Sequence, residues 1–126
     1  MPQSHRFQKL AADAKARIRE IPAAEASERQ REGAILIDVR ESQEFSKEHA
    51  TGAVHLSRGV IELKIEELAT DTATPIICYC GGGSRSALVA DSLQKMGYTN
   101  VVSMTGGFKS WKDQGLATSQ SSPAVA

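Results

Sequence analysis

The chain has little cysteine, no excess of charge of either sign and no long apolar run. Its 126 residues include only two cysteines, and fifteen basic residues balance fifteen acidic ones. Two cysteines are too few for a disulfide framework, and Cys78 and Cys80 are so close in sequence that a bridge would be strained. We therefore expect a reduced, cytoplasmic setting. The balanced charge argues against nucleic-acid and membrane partners, so any anion site has to be local.

The sequence shows no pattern that would predict a membrane span, a secretory signal, a zinc site or a nucleotide loop. No apolar segment approaches the about 20 residues of a membrane span. The N-terminus carries His5, Arg6 and Lys9 without the apolar core of a signal peptide. Asp13 and Glu20 argue against a cleaved transit peptide, but that alternative stays open. Three histidines and a Cys-x-Cys pair do not supply four well-spaced zinc ligands, and no Gly-x-x-x-x-Gly-Lys-Ser/Thr loop occurs. We expect neither a metal nor an organic cofactor.

Strand-like and helical segments alternate along the chain. Continuous apolar runs predict buried strands at 34–39 and 76–79, and apolar residues at helical spacing predict helices at 6–17 and 60–69. The other predicted elements are strands at 19–21, 52–56 and 100–104 and helices at 23–32, 43–48, 87–96 and 108–114. Such alternation predicts an α/β fold in which a parallel sheet carries helices on both faces.

Three segments differ in composition. Residues 1–18 are predicted to form a helical extension, residues 19–116 the folded domain, and residues 117–126, which are rich in serine and alanine, a disordered tail. The helix at 6–17 has an apolar stripe that needs a partner, either its own domain or another chain. We expect a monomer.

The stretch that starts at Cys80 carries the candidate chemistry. Cys80 follows the buried strand at 76–79, three glycines come next, and a helix follows with Ser84 as its predicted N-cap. Glycines let successive N–H groups converge on an anion, and a helix N-terminus adds a partial charge of about +0.5. Both effects favour the nucleophilic thiolate, and ligands bind at the carboxyl ends of parallel strands. A structural cysteine and a merely flexible loop are the competing interpretations.

Charged residues accompany this loop. Arg85 lies in the first turn of the following helix, where it would either bind a substrate anion or tie the loop to a nearby carboxylate, and both possibilities stay open. Arg58, just before a helix, is a second candidate for the anion contact, unless it is simply a surface arginine. Asp38 and Arg40 flank the end of the strand at 34–39 and are predicted to hold the loops around the site.

Cys78, His49 and His55 are interpreted as structural residues. Cys78 lies inside an apolar run, and its spacing from Cys80 disfavours a resolving thiol, so we expect it in the core. His55 lies in a strand pattern and His49 in a loop. His55 is predicted to be a satisfied or exposed strand residue, and His49 to pin its loop by a hydrogen bond, so neither is expected to act as a general base.

Taken together, these stretches resemble the single-domain rhodaneses, the thiosulfate sulfurtransferase-like family, over residues 19–116. The matching motifs are LIDVRE at 36–41, EF at 44–45, His49, GAVHLSRG at 52–59, YCGGGSRS at 79–86 and TGGFKSW at 105–111. The resemblance implies a five-stranded parallel sheet with helices on both faces, to which this chain adds an N-terminal helix. It implies that Cys80 carries sulfur. The loop residues implied as substrate contacts are Gly81, Gly82, Gly83, Ser84, Arg85 and Ser86.

The function that the resemblance implies is ping-pong sulfur transfer. The Cys80 thiolate takes the outer sulfur of thiosulfate or a persulfide, and the Cys80 persulfide passes it to cyanide or a thiol, while Arg85 and Arg58 hold the anionic donor. A related cysteine phosphatase would need five residues between cysteine and arginine, and this loop has four. Two further hypotheses are a non-catalytic binding module and a sulfur relay to a protein partner. The presence of Cys80 argues against the module but not against the relay.

Overall fold

In the computed structural model, which describes residues 3–121, strands and helices alternate as predicted. The strands are β1 (Arg19–Ile21), β2 (Ile35–Asp38), β3 (His49–Ala50), β4 (Val54–His55), β5 (Ile76–Tyr79), β6 (Val101–Met104) and β7 (Thr118–Ser119). The helices are α1 (His5–Lys15), α2 (Ala23–Arg31), α3 (Ser42–Lys47), α4 (Ile61–Leu68), α5 (Ser84–Lys95) and α6 (Gly107–Asp113). None of these helices combines the length and apolar character that crossing a bilayer requires.

The central sheet is parallel and has the strand order β1-β6-β5-β2-β4. β5 lies in its middle, where Cys78 is in register with Ile37 of β2 on one side and Ser103 of β6 on the other. All four residues of β5 are buried, which explains its continuous apolar sequence. The carboxyl end of this central strand leads directly to Cys80. The predicted α/β fold with five parallel strands is confirmed.

Helices cover both faces of the sheet. The face that carries Cys78 packs against Ile65 of α4 and Leu93 of α5. The opposite face, which carries Ile77, packs against Trp111 of α6 and the alanines of α2. Each large apolar side chain buried in this way contributes about 1.5–3 kcal/mol. The strand that leads to Cys80 is therefore packed on both of its faces.

The N-terminal helix packs on its own domain, against α5. Arg17, just beyond α1, donates two hydrogen bonds to the Asp91 carboxylate of α5, with N···O distances of 3.1 and 2.8 Å. The helix begins earlier than the predicted residue 6 because Ser4 caps it, accepting the N–H of Phe7 at 3.1 Å. It also ends before the predicted residue 17.

The C-terminal segment is partly ordered, which corrects the predicted disordered tail. β7 pairs antiparallel with β3, and neither strand was predicted. Trp111 Nε1 donates to the Ala117 carbonyl at 2.9 Å, and the Thr118 hydroxyl donates to the Glu48 carboxylate at 2.8 Å. Serine and alanine give no local signal for this strand, since its order comes from pairing with a distant segment. The tail prediction for residues 122–126 lies outside the described residues.

Two helices begin earlier than predicted because their caps differ. Gly83, at φ 110°, occupies the N-cap position that was assigned to Ser84, and Ser84 is the first residue of α5. Glu41 is the N-cap of α3, although residue type favours Ser42 at this position, and the Glu41 N–H donates to the Glu44 carboxylate at 3.0 Å. Serine outranks glycine as an N-cap, and glutamate is not among the preferred residues. Residue type alone therefore led to the wrong caps. The strand predicted at 52–56 also shortens to β4.

Candidate active site

Cys80 lies at the carboxyl end of β5, at the base of the loop that leads into α5. Its Sγ accepts the N–H of Gly83 at 3.1 Å and the N–H of Ser86 at 3.3 Å. Cys80 is only 1% exposed, so both donors act on a sulfur that is shielded from bulk water. Their partial positive charges, together with the N-terminal end of α5, stabilise negative charge at this position.

Other N–H groups of the loop have no acceptor of their own. The amides of Gly81, Gly82, Ser84 and Arg85 make no hydrogen bond with any residue in 3–121. Those of Ser84 and Arg85 belong to the first turn of α5, where no intrahelical acceptor exists. These donors are available to a bound anion or to a second sulfur atom on Cys80.

Two glycines allow the backbone of the loop to take this path. Gly83 has a φ of 110°, which turns its N–H toward the sulfur of Cys80 while α5 begins at the next residue. Gly107, at the start of α6, lies directly against the loop. A Cβ on Gly107 would overlap the Cys80 carbonyl oxygen and stand 2.7 Å from the carbonyl carbon and oxygen of Gly81. This close approach lets the Phe108 N–H donate to the Cys80 carbonyl at 2.7 Å.

A buried pair of hydroxyls lies next to the sulfur. Ser86 Oγ is 3.5 Å from Cys80 Sγ, 3.3 Å from the Gly83 carbonyl oxygen and 2.8 Å from Ser103 Oγ. Both serines are 0% exposed. Sequence reasoning missed Ser103, although a serine inside the otherwise apolar run of β6 is the kind of signal that could have identified it.

Arg85 is tied to a carboxylate. Its Nη1 is 2.8 Å from Glu44 Oε1, and its Nη2 is 3.2 Å from Glu44 Oε2. The hydrogen bonds from Arg85 hold the pKa of Glu44 below its ordinary value, against the opposing effect of partial burial. Of the two roles considered for Arg85, the structure therefore contains the tie to a carboxylate, and the partner is one that sequence reasoning did not name. An anion contact for Arg85 stays a prediction.

Arg58 lies at an open cleft beside the loop. The cleft has a volume of about 530 Å³ and is formed by α1, α5 and the segment that leads into α4. Leu10 of α1 lines it together with Arg58, Arg85 and Lys95. Cys80 is not one of its lining residues, so Arg85 is the side chain that links the cleft to the loop. Arg58 itself is exposed.

Asp38 and Arg40 form a buried ion pair after β2. Arg40 Nη2 is 2.8 Å from Asp38 Oδ2, and Arg40 also donates to the Glu48 carbonyl at 2.7 Å. The Arg40 guanidinium carbon lies 4.5 Å from the centre of the Phe108 ring. Burial works to lower the pKa of Arg40, but the Asp38 carboxylate outweighs burial and the pKa is raised. The pair links the end of β2 to the segment before β3 and to α6, without a contact to the sulfur.

Comparison with known proteins shows the family of this chain. The family model of the rhodanese-like domain matches residues 22–114. Thiosulfate sulfurtransferase GlpE of Haemophilus influenzae is 44% identical over 94 residues, which cover 75% of this chain and 88% of that protein. The chain belongs to the rhodanese-like family. The helix α1 precedes the range that the family model matches. The side of the cleft that α1 forms is therefore not part of the matched domain.

Two solved structures share this rhodanese fold along most of the chain. A Rhodopseudomonas palustris protein of unknown function, named a possible tyrosine phosphatase, has a TM-score of 0.82 and 26% identity and covers 94% of this chain and 99% of its own. The polysulfide-sulfur transferase homodimer of Wolinella succinogenes has a TM-score of 0.79 and 25% identity, with coverages of 95% and 91%. The predicted rhodanese family, fold and sulfurtransferase class are confirmed.

Three further residues of the rhodanese domain, Cys78, His49 and His55, were interpreted as structural. Cys78 is fully buried, and burial raises the pKa of its thiol to about 12. Both cysteines are free. His49 Nδ1 is 2.8 Å from the Phe45 carbonyl oxygen, and His55 Nε2 is 2.7 Å from the Arg40 carbonyl oxygen. The two imidazoles also stack on the Phe45 ring. The hydrogen bond predicted for His49 is therefore present, and His55 is a strand residue whose ring nitrogen has a partner.

Proposed function

We propose that this rhodanese-like protein is a thiosulfate sulfurtransferase that carries sulfane sulfur on Cys80. The supporting observation is the geometry at Cys80 Sγ, where the N–H groups of Gly83 and Ser86 converge at 3.1 and 3.3 Å. Further loop amides without acceptors in residues 3–121 lie beside them. The same activity is named for the Haemophilus influenzae relative.

In the first half-reaction, the Cys80 thiolate attacks the outer sulfur of thiosulfate or of a persulfide. A new S–S bond forms, the S–S bond of the donor breaks, and sulfite or a thiolate leaves with the bonding electron pair. Cys80 becomes a persulfide whose terminal sulfur carries the negative charge. The unpaired amides of the loop stabilise that charge, because they are preorganised and need no rearrangement.

In the second half-reaction, a nucleophilic acceptor attacks the terminal sulfur of the persulfide. With cyanide the product is thiocyanate, and with a thiolate it is a new persulfide. The S–S bond to Cys80 breaks, and its electron pair returns to the Cys80 sulfur. The N–H groups of Gly83 and Ser86 then stabilise the departing thiolate, so the same contacts act in both halves.

We assign the two arginines different parts in donor binding. The guanidinium of Arg85 holds the loop through Glu44, so an anion would have to compete with a carboxylate already 2.8 Å away. Arg58 is exposed beside the cleft, and within residues 3–121 it forms no ion pair, although Glu41 and Glu62 also line the cleft. The first contact of an anionic donor is therefore with Arg58, and the loop amides from Gly81 to Ser86 receive the transferred sulfur.

Intact-mass analysis after incubation with thiosulfate tests the proposal. The wild-type protein should gain the mass of one sulfur atom, and cyanide should remove it. Cys80→Ser should gain nothing, while the matched variant Cys78→Ser should still load. If the wild type gains no sulfur from thiosulfate or any other sulfane donor, the proposed function is wrong. Loading of Cys80→Ser would show that another residue carries the sulfur.

A phosphatase is a second candidate, because the Rhodopseudomonas palustris neighbour is named a possible tyrosine phosphatase. A phosphoryl group needs a wider loop than the four residues between Cys80 and Arg85 provide. Arg85 is also engaged by Glu44. We therefore expect no hydrolysis of p-nitrophenyl phosphate by protein that loads sulfur. Hydrolysis that disappears in Cys80→Ser would favour the phosphatase.

Partner, assembly and location stay predictions of this proposal. A sulfur acceptor of protein nature would take the persulfide sulfur through the same second half-reaction. We expect a monomer, although the Wolinella succinogenes neighbour is a homodimer, and sedimentation equilibrium distinguishes the two. We expect a cytoplasmic location, where the free thiols of Cys78 and Cys80 would stay reduced, and fractionation of cells that express the tagged protein tests it.

A further inference from the structure

We propose that Ser103 is a positioning residue that keeps the hydroxyl hydrogen of Ser86 available to the sulfur of Cys80. Ser103 lies on β6, across from the loop, and reaches the sulfur only through Ser86. The proposal rests on the proposed function in one respect, that Cys80 is the reacting thiol. It adds a residue from a distant strand to the site.

The direction of the Ser86–Ser103 hydrogen bond follows from the number of hydrogens available. Each hydroxyl has one hydrogen to donate. Ser103 Oγ is 2.8 Å from Ser86 Oγ and has no other hydrogen-bond partner within residues 3–121. If Ser86 donated to Ser103, the hydrogen of fully buried Ser103 would have no acceptor, which is unfavourable. Ser103 therefore donates and Ser86 accepts.

The hydrogen of Ser86 is then free to serve the sulfur. Its two acceptors are the Gly83 carbonyl at 3.3 Å and Cys80 Sγ at 3.5 Å. In the thiol form, the S–H donates to Ser86 Oγ and Ser86 donates to Gly83. In the thiolate form the sulfur has no hydrogen, and the Ser86 hydroxyl turns to donate to it. Ser103 donates to Ser86 in both forms, so the hydrogen of Ser86 is never used on Ser103, while the hydrogen bond between Ser86 and Cys80 reverses its direction.

This arrangement gives the thiolate a third donor. The hydroxyl of Ser86 joins the N–H groups of Gly83 and Ser86 that already point at the sulfur. A hydroxyl that accepts one hydrogen bond donates a stronger one, because chains of hydrogen bonds polarise each other. The thiolate is both the nucleophile of the first half-reaction and the leaving group of the second, so Ser103 supports both.

The test compares Ser103→Thr with Ser103→Val, which have nearly the same shape and differ in the hydroxyl. Alkylation of Cys80 by iodoacetamide, followed across pH, reports the thiolate without any sulfur transfer. We expect Ser103→Thr to keep the wild-type pH midpoint. Ser103→Val should move the midpoint upward and slow alkylation at pH 7 by about two- to threefold, as expected for a weakened donor. Ser103→Ala, which is smaller, should resemble Ser103→Val.

Every outcome of this comparison decides the proposal. If the threonine and valine variants titrate alike, the hydroxyl has no role and the proposal is wrong. If the alanine variant matches the wild type while valine does not, the effect is steric and the proposal is again wrong. Failure of the wild type to load sulfur would instead refute the proposed function, because alkylation is measured independently.

The ionisable groups around the loop are the same in all these proteins. They are Arg85 of α5 with its partner Glu44 of α3, Cys78 of β5 and the Asp38–Arg40 pair that follows β2. Lys109 of α6 is turned toward Asp113, at 3.0 Å. A difference between the threonine and valine variants therefore reports the hydroxyl and not a change of nearby charge.

Discussion

Substitution of Gly107 by alanine should damage both the stability of the protein and its active-site loop. The new Cβ would overlap the Cys80 carbonyl oxygen and stand 2.7 Å from two backbone atoms of Gly81. Neither neighbour is a flexible side chain, so the backbone of α6 or of the loop has to move. The Phe108 N–H, which donates to Cys80 at 2.7 Å, would be displaced with it.

Two costs add at this position. Gly107 has a φ of 56°, a left-handed conformation that costs a residue with a Cβ about 1–2 kcal/mol. Crowding against a packed backbone costs about 1–3 kcal/mol more. We therefore expect Gly107→Ala to lower the free energy of unfolding by about 2–5 kcal/mol. Displacement of the loop should slow sulfur loading by about ten- to a hundredfold, since small misplacements of catalytic groups are costly.

Gly115 provides the matched control. Its φ of 72° is also left-handed, but a Cβ there would meet nothing within 4 Å. Gly115→Ala should therefore show only the conformational cost of about 1–2 kcal/mol and should load sulfur at the wild-type rate. Urea denaturation and loading followed by intact mass measure the two effects. Equal stability losses in the two variants, or normal loading by a folded Gly107→Ala, would refute the reasoning that α6 supports the loop by close approach.

Two other substitutions test the surroundings of the site. Cys78→Ala should lower the free energy of unfolding by about 1 kcal/mol and leave sulfur loading intact. In the wild type, iodoacetamide at pH 8 should label Cys80 alone, because burial raises the pKa of Cys78 to about 12; labelling of both would contradict this. Glu44→Gln should cost at most about 1 kcal/mol at pH 7, as the ion pair with Arg85 is partly exposed. The pKa of Glu44 is lowered in the folded protein, so its contribution is present above the unfolded value of about 4.3 and lost as the pH falls below it. The gap between wild type and Glu44→Gln in urea denaturation should therefore shrink from pH 7 to pH 4, and a constant gap would argue against the pair.

The secondary structure was predictable where the signal is local. The strand at 76–79 was predicted with the bounds of β5, and the helix at 60–69 differs from α4 only at its ends. Buried strands and amphipathic helices reveal themselves through short-range periodicity. β3 and β7 were not predictable in this way. Each has two residues, and the order of both depends on pairing between segments that are far apart in sequence.

The residues of the candidate site also fall into two groups, those that a local sequence pattern predicts and those that it does not. Cys80, its glycines and Arg85 are contiguous, so their spacing and position after a buried strand were visible in the sequence. Glu44, Ser103 and Gly107 come from three other segments, and each reaches the loop through a contact that no local pattern encodes. The assignment of Ser84 as the N-cap failed for a related reason. Gly83 takes that position because its N–H has to face the sulfur.

The alternation of strands and helices, the family and the choice of Cys80 as the candidate reactive cysteine could be predicted from the linear pattern, because these predictions depend on composition and on neighbours along the chain. Only the tertiary structure decided what surrounds the sulfur. Arg85 could have bound an anion or a carboxylate until folding placed Glu44 at 2.8 Å. The role of Ser103 exists only because β6 lies beside β5 and turns a hydroxyl toward Ser86. Hydrogen-bond direction and close backbone approach are properties of three-dimensional neighbours, and a linear pattern carries no record of them.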